Sequence, residues 1–246
     1  MKASFFLLLV ALLFASCKTQ NVFQQSKKER KKAGVDSSFL YDPAYQYTIR
    51  KDDKVSFSIW EQDELSVGSV YGIYNSNEVY GKWLLVDANG NIEVPRIGTF
   101  YVEGYTIPQL KDTLRTIFKK WLVNPIVDAK VLNKEITVLG EVRNPSVIPV
   151  DKDRNTLLEI ISKTGGFEFY ANLKYVKVLR QEGENVRVAT IDLTRSGDYL
   201  AKNIQLHPGD VVLVPSKGYK EFDKRISTII PFTSTITAAA IFLGAF

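Results

Sequence analysis

One cysteine, one histidine and one methionine occur among the 246 residues of this chain, and the first two scarcities each remove a class of chemistry. A lone cysteine, Cys17, cannot form a disulfide within one subunit. A lone histidine, His207, leaves too few ligands for a zinc site built from several Cys and His side chains. Any Ser-His-Asp triad would have to use His207, and its setting in Leu-His-Pro-Gly-Asp is that of a turn residue. Lys163-Thr164-Gly165-Gly166 lacks the spaced glycine and the Gly-Lys-Ser/Thr ending of a phosphate loop. The carboxylate pairs Asp63/Glu64 and Asp151/Asp153 have nothing around them that sets the separation glycosidic cleavage needs, and they read as surface acids. The expectation is a protein that is not an enzyme, with no catalytic residue and no metal.

Charge of one sign is also scarce overall, the formal net charge being only +5. The basic excess gathers in "SKKERKKAG", at Lys27, Lys28, Arg30, Lys31 and Lys32. This is either a solvated linker or a contact with anionic headgroups, where each basic residue near the surface adds about 1 kcal/mol. Nucleic acid is not an expected partner, because the N-terminal segment marks the chain for export. Hydrophobic residues make up 45% of the sequence, enough to give a core to each of one or two small domains.

Two apolar segments stand at the ends. "MKASFFLLLVALLFASCKTQ" has Lys2 as a positive n-region, an apolar run from Phe5 to Phe14, and the small residues Ala15 and Ser16 before Cys17, the pattern of a secretory signal. Phe14-Ala15-Ser16-Cys17 resembles a lipobox, with phenylalanine in place of the usual aliphatic residue. That resemblance implies cleavage after residue 16 and Cys17 as the lipidation site, carrying a diacylglyceryl thioether and an amide-linked acyl chain; no other cofactor is expected. Several acyl chains anchor stably where one holds only marginally, at about 0.8 kcal/mol per buried methylene.

The chain closes with "IIPFTSTITAAAIFLGAF", Ile229 to Phe246, without a charged side chain. Pro231 suits a first helical turn, so a helix is expected to start near Thr228 to Pro231. The residues from Pro231 onward would span about 24 Å, short of the roughly 30 Å core of a typical bilayer and nearer the thinner bacterial outer membrane. On a wheel, Ile229, Phe232, Ile236 and Leu243 share one arc and are assigned to lipid. Ser227, Thr228, Ser234 and Thr235 lie broadly opposite and are assigned to a lumen, although Ile241 and Phe242 blur the pattern. Three readings remain open: a helix docked on a soluble domain, a single membrane span, and one stave of a ring around water, in which every backbone bond stays internal.

Between the ends the patterning predicts an α+β protein of two small αβ domains. In "KVSFSIW", Val55, Phe57 and Ile59 alternate with serines as in a half-buried strand. "DANGNIEVPRIGTFYVEGYT" follows, with Asn89-Gly90 suited to a tight hairpin turn and Gly98 and Gly104 at strand ends. Thr106-x-x-Gln109 is a capping box opening a helix marked by Ile107, Leu110, Leu114, Ile117, Phe118 and Trp121, with Asn124-Pro125 as its stop. The second module offers the strand candidates "EITVLGEV", "SVIPV", "YVKVLR", "VRVATIDL" and "DVVLVP". Its helix, over about 156–164, opens at the box Thr156-x-x-Glu159 and closes at Gly165-Gly166. Gly90, Gly98, Gly104 and Gly140 read as backbone requirements of turns.

These stretches carry a resemblance. "YTIRKDDKVSFSIW", "VDANGNIEVPRIGTFYVEGYT" and the helix after them resemble the export domain of the Wza-type outer-membrane polysaccharide export proteins. "ITVLGEVRNPSVIPV", "TLLEIISKTGGF" and "LHPGDVVLVP" resemble the β-grasp-like soluble ligand-binding (SLBB) domain that follows it in that family. Lys51-Asp52-Asp53 stands where Pro-Gly-Asp is usual, and Asn144-Pro145-Ser146 lacks the glycine common after proline. The organisation implied is a signal peptide over 1–16, a lipidated basic linker over 17–40, an export domain over 41–132 and a β-grasp-like domain over 133–216. A connector over 217–225 and a C-terminal membrane helix over 226–246 complete it, while the loop from Glu61 to Lys82 has no assigned role. The resemblance also implies a homo-oligomeric ring in the bacterial outer membrane, with domains mainly in the periplasm and the C-terminal helices forming a pore. A polysaccharide chain in transit, outer-membrane lipid and an inner-membrane polysaccharide copolymerase would be its partners. The alternative is a periplasmic lipoprotein that binds glycan or a partner protein, with the tail as a simple anchor.

Overall fold

A computed structural model describes residues 37–67, 83–194 and 203–227. Cys17, the signal segment, most of the loop from Glu61 to Lys82 and the tail from Thr228 onward lie outside the described residues.

The first module is built on strand β1 (Lys54–Ile59), paired antiparallel with β2 (Leu84–Leu85) on one side and β5 (Val127–Val131) on the other. Alternation in β1 turns Val55, Phe57 and Ile59 inward, where they are buried. Asn89-Gly90 does make a tight turn, Gly90 N–H donating to the Asp87 carbonyl, but it leads from β2 into β3 (Asn91–Val94). The β3–β4 hairpin, with β4 at Gly98–Tyr101, turns instead through Pro95-Arg96-Ile97, Arg96 taking the left-handed conformation.

Helix α1 (Ile107–Phe118) opens as expected: Thr106 Oγ1 accepts from Gln109 N–H and Gln109 Oε1 accepts from Thr106 N–H, closing the capping box. Leu110, Leu114 and Phe118 face the sheet. The helix ends at Phe118, six residues before Asn124, because Lys120 and Trp121 N–H bond back to Ile117 and Phe118 and tighten the chain into i−3 turns. Trp121 is consequently exposed, beyond the apolar stripe it was expected to continue.

The second module is a five-stranded sheet in the order β10-β9-β12-β6-β7, with β6 at Glu135–Gly140, β7 at Ser146–Pro149, β9 at Val176–Glu182, β10 at Asn185–Ile191 and β12 at Val211–Val214. β12 runs parallel to β6, and the remaining pairs in this sheet are antiparallel. A two-residue pair, β8 (Asn155–Thr156) with β11 (Gln205–Leu206), leads into helix α2 (Leu157–Lys163), whose Leu157, Ile160 and Ile161 enter the core. Of the expected box, Thr156 Oγ1 accepts from Glu159 N–H, whereas the Glu159 carboxylate turns to Lys152 Nζ at 2.8 Å. Gly166 N–H bonds Ile161 carbonyl and Gly165 N–H bonds Ser162 carbonyl, a Schellman ending that both glycines permit through positive φ. Lys163-Thr164-Gly165-Gly166 is thereby a helix stop.

Each module has its own core, and the boundary expected near Asn133 falls between β5 and β6. Asn133 ties the joint, accepting from Lys54 N–H and donating to the Asp52 carbonyl. One segment crosses: Phe39, in the stretch read as linker, is fully buried in the core of the second module, where the Arg180 guanidinium lies over its ring at 4.6 Å. The chain preceding the first module is thus packed against the second from Ser37–Phe39 onward.

Candidate functional site

Two turns of like geometry meet between the modules. In the first, Arg50 N–H donates to Asp53 Oδ2 at 2.8 Å and Asp53 N–H returns to the Arg50 carbonyl; in the second, His207 N–H donates to Asp210 Oδ2 at 2.8 Å and Asp210 N–H returns to the His207 carbonyl. The third residue of each turn has positive φ, 66° at Asp52 and 90° at Gly209. Lys51-Asp52-Asp53 therefore keeps the turn that Pro-Gly-Asp makes elsewhere in this same chain, with aspartate holding a conformation that costs a non-glycine residue about 1–2 kcal/mol.

The turns touch directly. Arg50 Nη1 donates to the Pro208 carbonyl at 3.2 Å, and Tyr45 stacks flat on the His207 imidazole with ring centroids 3.7 Å apart. Behind them Arg180 forks onto Asp210, Nε to Oδ1 at 2.9 Å and Nη2 to Oδ2 at 2.7 Å, and its remaining donors reach the carbonyls of Ser38 and Gln205. Both charges are almost wholly buried, Asp210 only 2% exposed, so the pair depends on these bonds to offset lost hydration. On the other side, Tyr47 Oη donates to both oxygens of the buried Asp53.

Burial dominates the electrostatics here. It raises the Asp210 carboxyl above its ordinary range against the opposing Arg180 bonds, and raises Asp53 against the bonds from Arg50 N–H and the Tyr47 hydroxyl. Burial pushes the Tyr45 hydroxyl up to about 12. The His207 imidazole is driven down to about 4 by burial first and then by the Arg180 and Arg50 charges, so it is neutral at physiological pH. Asp210 is occupied by Arg180 and by the backbone of His207, so this carboxylate does not orient the imidazole as a general base. Of the other paired acids, Asp153 takes Lys134 Nζ at 3.0 Å and Glu64 is exposed. Among the described residues no group of three His, Cys, Asp or Glu side chains is placed to hold a metal. A cleft of about 290 Å³ between α1 and the start of β5 is lined by Lys111, Asp112 and Arg115, charges already paired as Lys111–Asp128 and Asp112–Arg115.

A second constellation fixes the exit of the chain. Ala171 bridges Ser216, Lys217 N–H donates to the Tyr170 carbonyl, and Lys217 Nζ donates to the Phe169 carbonyl. Lys220 pairs with Glu141 and lies over the Tyr170 ring, which meets Tyr219 edge-on. From that clasp the chain is helical over 220–227, so most of the segment read as a polar connector is helical, while the helix start expected near Thr228 to Pro231 lies outside the described residues. Ser227 is its last described residue, exposed, with Oγ donating to the Lys224 carbonyl. Cys17, Thr228, Ile229, Phe232, Ser234, Thr235, Ile236 and Leu243 lie outside the described residues. None of the described helices is long and apolar enough to cross a membrane. The seam itself was missed in the sequence; its available signal was the repeated aspartate closing the turns at Asp53 and Asp210.

Two αβ modules with separate cores, joined in this order, define a class. Residues 42–132 match the family of polysaccharide biosynthesis/export proteins, and residues 134–214 match the SLBB domain. The two matches follow one another along most of the described chain, and in that order the chain is similar to the Wza-type polysaccharide export proteins. It is 26% identical over 237 residues to the EPS I polysaccharide export outer membrane protein EpsA of Ralstonia solanacearum, covering 89% of this chain and 62% of that one. The protein of the same name from Ralstonia nicotianae is 26% identical over 231 residues, covering 87% and 60%. The chain thus spans about 60% of the length of the curated relatives it matches.

Proposed function

We propose that this protein exports exopolysaccharide or capsular polysaccharide as the subunit of an outer-membrane translocon, supplying a polar conduit and no bond chemistry. Cys17 carries the acyl anchor, the two modules stand in the periplasm, and copies of the chain assemble in a ring whose tails together cross the membrane. Within each tail Ile229, Phe232, Ile236 and Leu243 face lipid, and Ser227, Thr228, Ser234 and Thr235 face water. The polymer reaches the ring from an inner-membrane copolymerase.

The observation that carries this reading is the clasp at Tyr170, Lys217 and Lys220, which ties the start of the 220–227 helix to the second module shortly before an uncharged tail. A ring of staves requires such a tie between module and tail, whereas a simple anchor does not. The export-family match and the names of the relatives support the cargo. Deleting Ile229 to Phe246 tests the proposal. Both modules should remain folded, since their cores are complete before Lys217, and surface polysaccharide should disappear; normal export by the deletion contradicts a pore-forming tail.

A further inference from the structure

Large apolar side chains around the clasp point away from the module that holds them. Tyr219, Phe222 and Ile226 are spaced i, i+3 and i+7 at the start of the 220–227 helix and are all exposed, Phe222 at 64%. Phe169, in the turn after α2, is 73% exposed and stands beside Tyr170, with ring centroids 5.1 Å apart. Lys217 Nζ lies 5.3 Å from the Phe169 ring and 5.9 Å from the Tyr219 ring. Along 217–227 the basic residues Lys217, Lys220, Lys224 and Arg225 outnumber the acids Glu221 and Asp223.

We propose that this aromatic and basic collar, contributed by the second module as well as by the helix, seats in the headgroup layer of an anionic phospholipid surface. Three features favour lipid as the occupant. The collar's last large side chain, Ile226, stands three residues before Ile229, where an uncharged segment of bilayer character begins, so a membrane reached by the tail lies against it. Its composition is that of an interface: aromatic rings beside lysines, whose stems bury while the ammonium groups stay hydrated. With Lys220 held by Glu141, Lys217, Lys224 and Arg225 still outnumber Glu221 and Asp223, and that positive excess complements anionic headgroups, at about 1 kcal/mol per residue near the surface. The collar would set the depth of the second module and the tilt of the helix leaving it. This inference rests on the tail reading above.

The test uses full-length protein carrying Cys17→Ser, reconstituted in phosphatidylethanolamine/phosphatidylglycerol vesicles and labelled with an environment-sensitive fluorophore at one introduced cysteine. Phe169→Cys and Phe222→Cys report the collar, Asp112→Cys on the outer face of α1 is the aqueous control, and Ala240→Cys reports the tail. With headgroup-quenching lipid, labels at 169 and 222 should shift to the blue and lose emission while that at 112 is unchanged. With acyl-chain-quenching lipid, the label at 240 should lose emission. A quenched tail with unquenched positions 169 and 222 overturns the collar and leaves the tail reading standing; no quenching at any of the three overturns both. A blue shift at 169 and 222 without lipid quenching assigns the patch to a second copy of the chain, which also overturns the proposal.

Discussion

His207 makes the stability of the seam depend on pH, with a sign that follows from its burial. Folded, its imidazole titrates at about 4; free of that environment it titrates at 6.5. Between those values the unfolded chain holds a proton that the folded chain refuses, so acid draws the protein toward unfolding. The contribution is fully present above pH 6.5 and is lost as pH falls to about 4; because the ring keeps part of its hydration, it is at most about 3 kcal/mol at 1.36 kcal/mol per pKa unit. For a domain the size of the second module even about 1 kcal/mol lowers Tm by roughly 4–8 °C. Asp53 and Asp210 act oppositely: their carboxyls are raised on folding, so their contribution grows as pH falls through those raised values. Arg180, Arg50 and Asp42 also face the ring, and all of these groups persist in His207→Phe, which keeps an aromatic face against Tyr45 and removes only the titration. Thermal unfolding of the detergent-solubilised protein, followed by circular dichroism from pH 7 to pH 4, should show the wild type losing stability relative to His207→Phe as pH falls. Parallel curves over that range would refute burial as the cause.

Gly140→Ala should destroy the second module, because a Cβ there would lie 2.0 Å from the Val214 carbonyl oxygen where β6 meets β12, and only backbone can give way; urea denaturation should show loss of its cooperative transition. Asp210→Ala should cost about 3–5 kcal/mol by stranding the buried Arg180 charge, and adding Arg180→Met should recover part of that loss in a double-mutant cycle. In the tail, Ile236→Lys should impair membrane insertion more than Thr235→Lys, since a lysine facing lipid at a helix centre costs about 2.5–3.5 kcal/mol and one facing water stays hydrated; equal tolerance in a membrane-fractionation assay would refute the assigned faces.

Much of the fold was legible because local chemistry and tertiary packing agree. The box at Thr106 and Gln109, the alternation through Val55, Phe57 and Ile59, and the Gly165-Gly166 stop each satisfy a local rule that the core also rewards. Legibility fails where the deciding contact is distant. Val127–Val131 alternates, but small Ala129 weakens the signal and only pairing with β1 makes the strand. The β8–β11 pair is two residues long and has no period to read. Glu159 meets the box rule in sequence, yet Lys152 offers a charged partner in space. Phe39 stands beside Leu40 and Tyr41, which are exposed, so nothing local marks it as buried, and its core lies in the other module. The segment "SKGYKEFDKR" looks solvated by composition, while Tyr219, Phe222 and Ile226 follow helical spacing through its charges.

The mass of the particle extracted from membranes in mild detergent tests the translocon most directly. A stable ring of several copies is the expected result, with the ring lost from the protein lacking Ile229 to Phe246. A full-length, acylated protein that remains a monomer would contradict the translocon and leave a lipid-anchored binding protein in its place.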